Sequence, residues 1–123
     1  MAAAVKKWSL TAVADLQLAC MRSASNGRSL QTLHGGRQHQ LRQTVIALPA
    51  GQILDEPGNV DESTLQVLCG RVRLWAGELT SDGSAGELLI VPAGRHTVES
   101  LDDAVLLLTE IRPPRRMAPE PGS

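Results

Sequence analysis

An all-β fold, a barrel or sandwich with one helix at its N-terminal end, is what this sequence predicts. Three observations carry it. From residue 28 onward the apolar residues alternate or cluster in short blocks rich in Val, Ile and Leu, which is strand rather than helix patterning. Turn chemistry separates these blocks at Gly35-Gly36, Pro49 to Gly51, Pro57 to Asp61, Ser81 to Ser84 and Pro92 to Gly94. Helical spacing of apolar residues occurs only before Gly27, and neither a βαβ rhythm nor an internal repeat is present.

The helix is expected from Ser9 to Ser25. Ser9 is the N-cap candidate, and Trp8 and Val13 stand at hydrophobic-staple spacing around it. Leu10, Val13, Ala14, Leu18 and Met21 form one face, with Asp15 and Arg22 opposite. Asn26-Gly27 stops the helix, because glycine accepts the left-handed conformation found there. The helix is not basic, so it is expected to pack on a sheet rather than to read a nucleic acid. Strands are then expected at Arg28 to Leu33, Leu41 to Leu48, Gln52 to Glu56, Thr64 to Leu68, Arg71 to Trp75, Glu87 to Val91, His96 to Ser100 and Ala104 to Ile111. In Arg71 to Trp75, Val72 and Leu74 alternate with Arg71, Arg73 and Trp75, giving one buried and one wetter face. Residues 1–27 are thus read as arm and helix, 28–112 as barrel, and 113–123 as a disordered Pro-, Arg-, Gly- and Ser-rich tail.

Composition narrows the function. A chain of 123 residues has room for one domain. A net charge of -1 draws the molecule neither to nucleic acid nor to an acidic membrane. The one arginine cluster, Arg112, Arg115 and Arg116, lies at the tail. There is no Phe and no Tyr, and the two aromatics are Trp8 and Trp75. The core must be aliphatic, and the stacking platform that binds single-stranded nucleic acid or sugar rings is missing. Cys20 and Cys69 match no zinc or redox spacing and are expected as buried free thiols. With no apolar h-region after Lys6 and Lys7 and no run of membrane-spanning length, a cytoplasmic protein is expected.

Two stretches carry a family likeness. Gly86 to His96, GELLIVPAGRH, resembles the second cupin motif: a Gly, five residues, Pro-x-Gly, and a His shortly after. Gly51 to Gly70 resembles the first cupin motif, which opens and closes on glycine. With its flanking strands the likeness covers residues 40–111. It implies a small jelly-roll barrel, often dimeric, with a pocket at one mouth. In metal-binding cupins the first motif supplies two His and a Glu and the second one His, a set suited to Fe, Mn, Zn or Ni. Carried onto this chain, those positions are Pro57, Asn59, Ser63 and His96, so only His96 remains of four ligands.

No cofactor is therefore expected. If a divalent metal is bound, the candidate ligands are His96, Glu56, and the loop pair His34 and His39. For a metal-free ligand site the candidates are His96, whose imidazole both donates and accepts, with Asn59, Ser63, Gln43 and Gln66 as uncharged polar lining. Each has a plainer reading: a histidine satisfied by backbone, loop histidines in solvent, or a glutamine on the outer face. Arg71 and Arg73 read as solvated exterior, and Asp102-Asp103 as a turn cap. The leading expectation is a cupin-like protein binding a small molecule without a metal. The alternatives are a metal-dependent enzyme of oxygenase or isomerase type, and a structural or partner-binding module. A homodimer is expected, because barrels this small commonly cover a sheet face or edge with a partner.

Overall fold

In the computed structural model, residues 4–25, 27–56, 58 and 62–112 are described. The expected tail, residues 113–123, lies outside them, as do Asn26, Pro57 and Asn59. Helix α1 spans Leu10–Ser23, and the Ser9 hydroxyl caps it by accepting from the Ala12 N–H at 3.2 Å. Nine strands follow among the described residues: β1 (Ser29–His34), β2 (Leu41–Leu48), β3 (Ile53–Glu56), β4 (Glu62–Cys69), β5 (Arg71–Ala76), β6 (Leu79–Ser84), β7 (Leu88–Val91), β8 (His96–Ser100) and β9 (Ala104–Ile111). No helix among these residues is long and apolar enough to cross a membrane.

The strands form two antiparallel sheets, one in the order β1-β2-β9-β4-β7 and one in the order β3-β8-β5-β6. Their inner faces meet in an aliphatic core of Ile46, Leu48, Leu65, Val67, Val72, Leu74, Val91, Val98, Ala104, Leu106 and Leu108. Helix α1 lies on the outer face of the five-stranded sheet, where Val13, Ala14 and Met21 meet Leu33, Val45, Ala47, Val105 and Leu107. Strands β2 and β9 are therefore buried on both faces. This is why Val45 to Leu48 and Ala104 to Leu108 are continuous apolar runs while β4 and β5 alternate. Under the helix sits one polar side chain, Gln17, which donates to Gln31 Oε1 at 2.9 Å and accepts from the Ser29 hydroxyl. Its partners make its burial tolerable.

Three expectations are corrected. Ser81 to Ser84 is not a turn but the end of β6. The turn is made earlier by Gly77 and Glu78, with Ala76 opposite Leu79. The Asp-Gly pair serves packing and charge instead. Asp82 takes both the Nε and an Nη of Arg73, at 2.7 and 3.0 Å, across the β5–β6 ladder. Gly83 faces inward, where a Cβ would meet Leu89 and Val67 at 3.1 Å. Second, the nine strands among the described residues exceed the eight expected from the sequence, because β6 lies in a stretch whose turn chemistry hid it. Third, both cysteines are free, but Cys20 is exposed and Cys69 half-buried. Arg71 and Arg73 do lie on the exterior, paired with Asp102 and Asp82, and Asp103 accepts from the Ala50 N–H at 2.9 Å.

The β4–β5 connection rests on Gly70, whose φ is +78° and whose missing Cβ leaves room for the Asp103 carbonyl and the Ala104 Cα. Gly70→Ala is expected to cost about 1–3 kcal/mol or more, read as a fall in the urea unfolding midpoint. An unchanged midpoint would contradict this close approach.

Candidate functional site

Counting by two along each strand from the inner core places one end of the barrel. In the four-stranded sheet, Leu54 packs on the core and Val98 belongs to it, so Glu56 and His96 share the inner face at the same end. Glu56 stands directly opposite His96 in the β3–β8 ladder. Trp75 pairs with Thr97, so the next position along brings Ala76 beside His96, and Ala76 stands opposite Leu79. One row thus runs Glu56, His96, Ala76, Leu79. In the facing sheet the ladders give a second row: Arg42 opposite Glu110, Glu110 opposite Ser63, Ser63 opposite Val91. Both rows run from charged residues on the β1–β3 side to apolar ones on the β6–β7 side.

His96 is the most constrained member. It is 4% exposed, and its Nδ1 lies 3.5 Å from the Gly94 carbonyl oxygen. Its Nε2 is buried and has no hydrogen-bond partner. Such orphaned groups are rare in folded proteins and cost free energy unless a water or ligand satisfies them. Beside the ring is a cavity with about 10 Å³ of room for a water centre, lined among others by Gly58, Ser63, Val91, Pro92 and Gly94. That is space for about one water. Gly58, at φ +81°, closes this side by lying so near Gly94 that any Cβ would overlap its carbonyl.

The charged side of the mouth holds Glu56, Glu110 and Arg112. Glu110 is buried and faces an Arg112 Nη at 3.6 Å. Burial pushes the Glu56 carboxyl above its ordinary range, and the negative Glu110 pushes it further. His96 and Arg112 oppose the rise, and Asp55 adds to it.

Of the residues expected from sequence, His96, Ser63 and Glu56 come together at this mouth. Asn59 lies outside the described residues. Gln43 and Gln66 do not line the mouth. Gln43 has the parity of Val45 and Ala47, on the outer face, and its Nε2 donates to Thr109 Oγ1 at 3.3 Å. Gln66 lies opposite in parity to the inward Leu65 and Val67, in a groove beside Leu10, Ala14 and Leu18 of α1. His34 and His39 lie against each other in the β1–β2 hairpin, ring centroids 4.5 Å apart and planes tilted by 41°, and are exposed. Among the described residues no three His, Cys, Asp or Glu side chains form a group able to hold a metal ion. At the positions that the resemblance assigns to ligands, the described residues supply one imidazole, His96, and one hydroxyl, Ser63. Glu110, Arg42 and Arg112 were not anticipated. The signal for Glu110 was a lone carboxylate at period two from Leu106 and Leu108 in an otherwise apolar strand.

The Glu56 shift has a consequence for stability. A carboxyl raised in the folded state costs nothing below the ordinary value of 4.5, begins to oppose folding as pH rises through it, and does so fully above the raised value. Glu56→Gln is therefore expected to raise the melting temperature at neutral pH, with the gain fading as pH falls toward and below 4.5. A gain that persists in acid, or a loss at neutral pH, would contradict the burial assigned to Glu56.

No protein-family model and no curated protein matches the sequence. Solved structures do. A conserved protein of unknown function from Streptococcus pyogenes is 21% identical, with a TM-score of 0.64 over 73% of this chain and 78% of that one. A cupin superfamily protein from Desulfitobacterium hafniense is 13% identical, with a TM-score of 0.66 over 78% and 87%. An RmlC-like cupin protein from Desulfovibrio desulfuricans is 20% identical, with a TM-score of 0.57 over 68% and 81%. At these identities the likeness speaks for architecture. Together with the two antiparallel sheets and the mouth at His96, it shows that this chain has the cupin fold, a jelly-roll β-barrel with one N-terminal helix.

Proposed function

We propose that this is a small-molecule-binding cupin-fold protein whose site is the barrel mouth at His96 and which needs no metal to bind. The observation that carries the reading is the buried, unpartnered Nε2 of His96 beside a small cavity. Around it the mouth offers hydrogen-bonding groups of several kinds: the Ser63 hydroxyl, the Glu56 and Glu110 carboxyls, and the Arg112 guanidinium. A mostly apolar cavity with a few convergent polar groups is the general form of a small-molecule site. The ligand inserts one polar group toward His96 and keeps the rest of its bulk at the mouth, because the interior beyond is filled by Leu48, Leu65, Leu106, Val67, Val72 and Val98.

That same filling favours a second reading, a module that acts through its surface and binds nothing inside. The two separate in one experiment: a fragment library screened by protein-observed ¹H–¹⁵N NMR against the native protein and His96→Gln. The proposal expects hits that shift the Ser63 and Gly94 amides and disappear in the variant. Hits indifferent to His96→Gln, or no hits with a native protein shown to be folded, would overturn it in favour of the surface module.

A further inference from the structure

The mouth has a second half that the hydrogen-bonding groups do not explain. Leu79 is 67% exposed and Ile90 71% exposed, although both are large aliphatic residues. Together with Leu74, Ala76, Pro92 and two small hydroxyl residues, Thr80 and Ser81, they line a mainly apolar crevice of about 270 Å³ between the β5–β6 hairpin and the end of β7. A closed cavity of about 150 Å³ already accepts benzene, so a branched chain or ring fits this space.

The crevice adjoins His96 at two points. Ala76, which lines it, is the cross-strand neighbour of His96 one step beyond the Trp75–Thr97 pair. Pro92 lines both the crevice and the His96 cavity. The two facing rows, Glu56–His96–Ala76–Leu79 and Arg42–Glu110–Ser63–Val91, therefore pass from polar to apolar in the same direction. A ligand seated along them meets a polar group at one end and hydrocarbon at the other.

The chemistry of the polar end can be narrowed. The Nδ1 of His96 faces the Gly94 carbonyl, which only accepts. A neutral ring that donates from Nδ1 presents a lone pair at Nε2. Glu56, across the ladder from the ring, is also an acceptor when ionised, and Glu110 is already engaged by Arg112.

We propose, on the reading that the mouth is the binding site, that its ligands are amphipathic: a hydrogen-bond-donating head, an amine or alcohol, on His96 Nε2, and a branched or cyclic hydrocarbon group in the crevice of Ala76, Leu79, Ile90 and Pro92. The His96 cavity takes the head and the crevice takes the tail.

Three probes with one tail and different heads test this: 3-methyl-1-butanol, 3-methylbutylamine and 3-methylbutanoate, titrated by protein-observed NMR. The alcohol or the amine is expected to bind more tightly than the carboxylate. Leu79→Ser, at an exposed position, and Ala76→Leu, which fills the crevice and leaves His96 in place, are each expected to weaken the better probe about tenfold. Tighter binding of the carboxylate would overturn the donor head. Affinity unchanged in both crevice variants would overturn the apolar tail. If fragments bind at His96 while none of these probes does, the amphipathic assignment fails and the mouth reading stands. Probes that bind equally to His96→Gln defeat the mouth reading itself.

Discussion

The ladder between Leu41–Leu48 and Ala104–Ile111 positions the rest of the molecule, since it is buried on both faces at once. Its inner residues, Ile46, Leu48, Ala104, Leu106 and Leu108, hold the facing sheet, and its outer residues, Val45, Ala47, Val105 and Leu107, hold the helix. A chain without Phe or Tyr has only aliphatic volume to spend on a core. It places that volume here, in side chains that pack at high density with little room left over. The filled interior has a functional corollary. On the proposed reading, a ligand is met at the end of the barrel, where the ladder runs out into Arg42 and Glu110.

At that end the polar groups are not independent. Glu56 and His96 face each other across one ladder, and Glu110 sits between Arg42 and Ser63 in the other sheet. Burial makes each of them costly to leave unpaired. Glu110 has Arg112, and Glu56 responds by holding its proton more tightly than a free carboxyl does. Among the described residues, His96 alone has a buried side-chain atom with no partner. In a small domain whose net stability is a small difference between large terms, an unsatisfied group of this kind is retained at a functional position more readily than in the middle of a core.

How much of this was legible in the sequence depended on whether a strand had one wet face. Strand β8 alternates, and its bounds, His96 to Ser100, and its inner set were readable directly. Strand β4 alternates too, which makes Ser63 and Gln66 incompatible as neighbours on one face, since they stand three apart. Strand β2 is apolar on both faces, so nothing in LRQTVIAL says which parity looks inward, and Gln43 could not be placed from sequence. The Asp82-Gly83 pair was misleading because the residue types that make turns also make a bidentate ion pair and a tight packing site. The apolar crevice had no sequence signal at all. Leu79 and Ile90 are ordinary strand residues until two edge strands, one from each sheet, are brought side by side.

The state of the His96 ring is the most direct point at which to test this account. Long-range ¹H–¹⁵N correlation spectra of the dialysed native protein report which imidazole nitrogen carries the proton. The tautomer with its proton on Nδ1 is expected, with Nε2 changing its shift when a mouth ligand is added. A proton held on Nε2 by a protein acceptor, with no response to any ligand, would contradict it and make His96 an ordinary satisfied core histidine.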